Sequence, residues 1–429
     1  MAPAYQAQVF LLAQRITRLT GSSTIISLRE ESYYVASVQK TFTAYSNRKF
    51  HIASPRFRTL IANRIRVALR WLQEQDEAPP IPASKGAARI DLDRASIHDF
   101  LRIVEYSIFE SNRTIARFIE ALCFGNMRLA LEMFATFLGS GATDVDKMLR
   151  IYRREGAYYV AFHEFVKSIM LGDRKYYRES HSRVMNLFDC GPEKNASHFT
   201  TIRVLRFLAA LRGQSDPAGQ GHCDVDRLLL TFENVFDNRE DLIRSLNRLV
   251  NRQLLETDTK AADSIAGSSS VRITSAGWYY LRYLVRSFAY LDLVLQDTPL
   301  NDPRTEEALR MSVREVDNLA GRDEDKEQRM DARFGRVGCF LEYLRSEEER
   351  ERKEFALNET TGDLSEPVMT PILAEFGKES EWIRRRIREN RERYREDHQQ
   401  FDAADVPPGQ PDEEDDQLEL GLDGPPGTE

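Results

Sequence analysis

Apolar residues recur every three to four positions through most of this chain, the spacing that lines one face of an α-helix. Thr201–Leu211, Val225–Phe232 and Asn238–Arg252 read as three such helices in succession. The period then changes. Leu254–Asp258 reads as a short strand, Thr259–Ser270 as a hairpin tip rich in Lys, Asp, Gly and Ser, and Val271–Thr274 as the returning strand. Thr274 and Ser275 supply caps for a helix over Trp278–Val285. Nearer the start, Val9, Phe10, Leu12, Ile16 and Leu19 mark a helix that Gly21 ends. The β-branched run Ser23–Leu28 predicts a strand covered on both faces, and Lys49–Ile52 a second, short one. Pro55–Gln73 follows as a helix with Ile61, Ile65, Ala68, Leu69 and Leu72 on one side. Glu77–Ala83 is a Pro-rich linker, and Ile90–Gly139 reads as several helices. Pro303–Arg352 is helical and highly charged, with Phe334, Val337, Phe340, Leu341 and Leu344 as its apolar set. Glu379–Gln400 is a charged helix with a narrow stripe of Trp382, Ile383, Ile387 and Tyr394, and Gly377-Lys378 stands before it.

Composition narrows the class. A chain of 429 residues, 41% hydrophobic and 30% charged, fits two or three domains with cores of their own. It has no membrane-spanning run, and its first residues lack the basic start of a secretory signal, so a cytoplasmic location is expected. Cys123, Cys190, Cys223 and Cys339 are far apart with no Cys-x-x-Cys pair, which argues against a zinc site or a disulfide framework. The net charge of -8 is unevenly spread: residues 401–429 hold ten acidic groups and no Lys or Arg, leaving +2 on residues 1–400. That tail, rich in Pro and Gly, is expected to be disordered. It would compete with nucleic acid for a basic face or keep the protein in solution. Glu30 and Glu31 have no nucleophile or metal-binding group placed around them, so neither a catalytic residue nor a metal ligand is assigned.

The order helix, helix, helix, strand, hairpin tip, strand, helix resembles a winged helix-turn-helix, a family that holds nucleic acid or partner proteins. On the third helix Leu242, Ile243, Leu246, Leu249 and Val250 form the apolar stripe, which leaves Arg244, Asn247, Arg248 and Asn251 together on another face. Arg forks onto guanine and Asn onto adenine, while Lys260 and Arg272 of the wing are placed to meet phosphates. Glu240 and Asp241 read as first-turn acids that suit the helix dipole. Duplex DNA is the expected ligand. The alternative is an interaction scaffold or regulatory subunit whose winged helix docks a partner chain.

Two further stretches resemble a second family. Ser23–Leu28, ending in Arg29, looks like the first-sensor strand of a prokaryotic AAA+ or STAND ATPase, with Ser27 as the weaker match on the same strand. Leu122–Leu131 contains Gly125, Asn126 and Arg128 in the pattern of the second-sensor helix in the lid of origin-recognition-type proteins. The resemblance implies nucleotide sensing by Arg29 and Arg128, since a guanidinium forks onto phosphate oxygens. The departure is large: no Gly-x-x-x-x-Gly-Lys-Ser/Thr and no strand with paired acids precede these elements, and Gly377-Lys378 is no substitute. The chain alone is therefore expected to hold no cofactor and not to hydrolyse ATP. ATP and Mg would require a separate polypeptide, an N-terminal ATPase half, or an oligomer. Gln417–Leu422 weakly resembles peptides that dock into the bacterial sliding clamp. The expected fold is mainly α: a truncated α/β P-loop core at 1–78, a helical lid at 79–192, a winged helix at 193–300, a helical extension at 301–400 and an acidic tail at 401–429.

Overall fold

The computed structural model describes residues 3–27, 55–74, 81–85, 88–111, 114–140, 145–156, 158–212, 221–259, 264–319 and 326–402. The protein is mainly helical. In chain order the elements are α1 (Pro3–Thr20), α2 (Phe57–Glu74), β1 (Ile81–Lys85), β2 (Ala88–Leu92), α3 (Arg94–Tyr106), α4 (Thr114–Cys123), α5 (Met127–Gly139), α6 (Val145–Glu155) and α7 (Phe162–Leu171). Then come α8 (Thr200–Arg212), β3 (Cys223–Asp224), α9 (Val225–Phe236), α10 (Arg239–Asn251), β4 (Leu255–Thr257), β5 (Ser270–Ile273) and α11 (Ser275–Arg282). The last four are α12 (Phe288–Val294), α13 (Pro303–Asn318), α14 (Lys326–Glu354) and α15 (Met369–Asp402). No helix among the described residues is long and apolar enough to cross a membrane. Two compact units emerge, Met1–Ala53 with Gly191–Trp278 and Ser54–Cys190 with Tyr279–Glu429, so the divisions expected at 79–192 and 301–400 both fall largely in the second.

The first unit is built around α8, α9, α10 and a three-stranded antiparallel sheet in the order β3-β5-β4. Cys223 pairs with Val271, and Leu255 with Ile273. Asp224 caps α9 by accepting from Arg227 N at 2.9 Å. Leu205 and Leu208, Leu228 and Phe232, and Leu242 and Leu246 are fully buried where the three helices meet. Each such side chain contributes roughly 1.5–3 kcal/mol. Thr274 Oγ1 accepts from Gly277 N and caps α11, so that helix opens earlier than its aromatic run suggests. A Cβ at Gly277 would lie 2.4 Å from the Leu254 carbonyl oxygen and 2.8 Å from Ile273 Cγ1. The first of these is backbone and cannot swing aside. Gly277→Ala is expected to destabilise the first unit by about 1–3 kcal/mol through overpacking, and urea unfolding followed by circular dichroism would show it as an earlier midpoint.

Several expectations are corrected here. Ser23–Ser27 is not a strand, and Ile25 is 96% exposed: no strand among the described residues takes its backbone hydrogen bonds, and a β-branched run gains from extension only where one does. Ser27, the weaker sensor candidate, therefore stands on no strand. Leu28, Arg29, Glu30, Glu31 and Lys49–Ile52 lie outside the described residues, as does the tail beyond Asp402. Gly21 ends α1 with φ +64°, as its sequence predicts. Among the described side chains of α1 only Phe10 and Ala13 are buried, however, and Val9, Leu12, Ile16 and Leu19 are exposed.

In the second unit α2 buries Ile61, Ile65, Leu69 and Leu72 as their spacing requires. The segment read as a linker instead enters an antiparallel hairpin, β1 with β2, in which Ile81 pairs with Leu92 and Pro82 with Asp91. Phe118 of α4 meets Phe162, Phe165 and Tyr279 edge-on, with centroids at 5.8 to 6.0 Å. All five apolar residues anticipated on α14 are buried. Gly377 and Lys378 lie inside α15, which starts ten residues before the helix expected there; this glycine meets nothing within 4 Å that would force a break. An irregular but buried stretch around Val184–Phe188 takes its hydrogen bonds from side chains. Tyr280 Oη accepts from Met185 N, and Tyr290 Oη accepts from Leu187 N while donating to Met185 O, all at 2.8 to 2.9 Å.

Candidate functional site

The polar face of α10 was the expected nucleic-acid surface. Its register follows from Leu242, Leu246, Leu249 and Val250, which are buried and turn Arg244, Asn247 and Arg248 to partly exposed positions and Asn251 to an exposed one. Arg244 and Asn247 on that face are engaged within the unit. Arg244 places Nη2 3.1 Å from Asp241 Oδ1 and Nε 3.1 Å from Glu193 Oε2, and its side chain is 22% exposed. Asn247 Oδ1 accepts from Ile265 N at 2.9 Å, tying α10 to the loop that returns to β5. Arg272 forms an ion pair with Glu256, the residue opposite it in the β4–β5 register. Lys260 lies outside the described residues.

Asp241 is the residue the sequence misplaced. Instead of a solvated first-turn acid it is fully buried, accepting from Thr200 Oγ1 at 2.5 Å and Ser197 N at 3.4 Å besides its pairing with Arg244. Its carboxylate thus joins the approach to α8, the start of α8 and α10. The signal was available in the three-residue separation of Asp241 and Arg244 on one helix, whereas Glu193 is too distant in sequence for any periodicity to connect. Nearby, Arg203 is buried with its guanidinium 4.7 Å from the Phe236 ring centroid and 5.3 Å from that of Phe199. Withdrawing Arg244 to reach a base would leave a buried carboxylate without its cation, a loss of about 3–5 kcal/mol. A good bidentate base contact returns only about 1–3 kcal/mol. The internal pairing wins.

Charge over the segment that carries α8 to β5 adds to this. Residues 191–278 contain eleven Lys and Arg against eleven Asp and Glu, so the segment is neutral, whereas proteins that grip phosphate backbones carry a basic footprint. Arg128, the other anticipated phosphate contact, belongs to the second unit. Phe124 and Gly125 make the turn with φ +42° and +78°, Asn126 caps α5 by accepting from Leu129 N at 3.2 Å, and Arg128 is exposed in the first turn. An arginine there is solvated and stands near the positive end of its helix dipole. Among the described residues no three His, Cys, Asp or Glu side chains come together as a metal site. The four cysteines are free.

The other notable surface of the first unit is apolar. Val9, Leu12, Ile16 and Leu19 follow one another at three- and four-residue intervals along α1, at 44%, 59%, 46% and 77% exposure. This is the spacing of a helix-pairing seam. The only charges on α1 are Arg15 and Arg18. The chain matches no protein-family model, no curated protein and no solved structure.

Proposed function

We propose that the chain is an interaction scaffold or regulatory subunit that docks a partner protein through its first unit. The observation that carries this reading is the exposed seam of Val9, Leu12, Ile16 and Leu19 on α1, because an apolar helical row left in water costs free energy that a matching helix recovers. The occupant it fits is an amphipathic helix with acidic flanks, since α1 carries two arginines and no carboxylate. The arrangement of α8, α9, α10 and the β3-β5-β4 sheet supports a winged-helix module in the same unit. In the AAA+ or STAND resemblance, the partner would be the polypeptide that carries the absent phosphate loop, and ATP with Mg would come with it.

Duplex DNA is the second reading, favoured by the order of those helices and strands and by Asn251 at the exposed end of α10. One experiment separates the two. A labelled synthetic helix with a leucine seam and glutamate flanks is expected to bind the intact protein in fluorescence anisotropy. Leu12→Glu should weaken it about tenfold, or ~1.4 kcal/mol, and lysine flanks should weaken it too. A labelled duplex is expected to show little binding at either of two salt concentrations. Equal affinity for both peptides sinks the docking reading. Tight DNA binding that falls steeply with salt and weakens in Arg244→Ala and Arg248→Ala puts the DNA reading in its place.

A further inference from the structure

The second unit presents a basic face that neither reading uses. On α2 the buried row of Ile61, Ile65, Leu69 and Leu72 turns Arg64, Arg66, Val67, Arg70 and Trp71 to water, and Arg56 stands exposed just before the helix. The only carboxylate on α2 is Glu74, its last residue. Arg66 donates to Asn63 Oδ1 at 2.9 Å, and Arg56, Arg64 and Arg70 form no ion pair among the described residues. Arg66 and Arg70, four residues apart, repel one another on the same side of the helix. Val67 and Trp71 have the same spacing and are 64% and 46% exposed, with the Arg94 guanidinium 5.2 Å from the Trp71 ring centroid. Cations without anions, set beside two uncovered apolar side chains, suit a chain that is both acidic and partly apolar.

The protein's own tail has that composition. The consecutive carboxylates of Asp412–Asp416 precede Leu418, Leu420 and Leu422, and Glu419 and Asp423 stand among and after these leucines. Alternate residues of an extended chain share a side and recur about every 6.6 Å, while residues four apart on a helix recur about every 6 Å along its axis. Successive leucines of the tail therefore match Val67 and Trp71 in spacing. The 27 residues that follow Asp402, the end of α15, can span up to roughly 90 Å, enough to reach another helix of the same unit. Tethering also raises the local concentration of the segment, so individually weak contacts suffice. We propose that Asp412–Asp423 docks on the exposed face of α2, its carboxylates meeting Arg56, Arg64, Arg66 and Arg70 and two of its leucines covering Val67 and Trp71. The seam on α1 offers this segment only Arg15 and Arg18, a poorer match in charge. A tail held on α2 keeps that basic face from other polyanions until they displace it.

The proposal is independent of the α1 docking and DNA readings, and its test uses the intact, isotope-labelled protein. The amide resonances of Leu418, Leu420 and Leu422 and the Trp71 indole resonance, assigned through Trp71→Phe, are followed at about 50 mM and about 500 mM salt, since screening shortens the reach of exposed charges. At low salt the tail amides are expected to be broadened and shifted. At high salt they should sharpen to free-chain positions while the Trp71 resonance moves with them. Arg66→Gln combined with Arg70→Gln should lower the ratio of docked to free tail about tenfold at low salt, with unchanged melting because both side chains are exposed. Leu420→Ser should lower it as well, and Arg15→Gln combined with Arg18→Gln should leave it as in the parent. Sharp tail signals at low salt in the parent, or release by the α1 variant and not by the α2 variant, would overturn the assignment. A docked fraction that rises with protein concentration would overturn it too, by showing that the tail reaches a second copy, as would a single-stranded oligonucleotide that shifts Trp71 and leaves the tail signals where they were.

Discussion

Asp292→Ala is expected to lower the stability of the second unit by about 3–5 kcal/mol, the usual consequence of removing one partner of a buried ion pair. Asp292 accepts from Arg333 Nε at 2.9 Å and Nη2 at 2.8 Å, and from Arg336 Nε at 2.6 Å. Burial alone would raise its pKa, but the two guanidinium charges overcome that and hold the carboxyl below the usual range. Removing the carboxylate leaves Arg336, 5% exposed, with a charge that water cannot reach. The loss should therefore be largely a penalty on what remains. Asp292→Ala combined with Arg336→Met is expected to recover part of the stability, because an apolar side chain of similar length has no charge to desolvate. Urea unfolding of the three proteins provides the measurement. If the double variant is no more stable than Asp292→Ala, the stranded charge is not the cause.

That cluster also marks the limit of what periodicity reveals. Asp292 and Arg336 are 44 residues apart, and neither stands out within its own helix. The elements themselves were more legible. Leu242, Leu246 and Leu249 announce α10, Phe334, Val337 and Leu341 announce α14, and the runs Leu254–Asp258 and Val271–Thr274 announce β4 and β5 to within a residue, because local spacing and tertiary burial agree at those places. They disagree where a neighbour decides. Ser23–Ser27 has strand composition but pairs with no strand among the described residues, and Pro82 lies in a hairpin although the prolines around it suggest a linker. Candidate contact residues suffered in the same way. Arg244, Asn247 and Arg272 are suited to nucleic acid by type and spacing, yet Glu193, Ile265 N and Glu256 meet them first.

Glu379→Gln is expected to change how stability varies with pH. Burial pushes the Glu379 carboxyl up to about 7 from the usual 4.5; the hydrogen bond from Phe288 N at 2.7 Å opposes that shift and Glu375 on the same helix adds to it. Between those values the unfolded chain has released this proton while the folded protein keeps it, so stability falls as pH rises from about 4.5 to about 7. The full window is worth roughly 3 kcal/mol. His163 acts with the opposite sign. Its folded pKa is depressed from 6.5 to about 3, so its contribution is complete above 6.5 and is lost as pH falls through that interval. From 4.5 to 6.5 the two slopes oppose one another, and the parent protein should show a shallow dependence from this pair. Glu379→Gln removes only the falling component, so stability should then climb with pH over that interval, whereas His163→Gln should expose the fall. Urea midpoints at half-unit steps from pH 4.5 to 7.5 decide it: if the Glu379→Gln curve runs parallel to the parent's, the carboxyl does not keep its proton in the folded state.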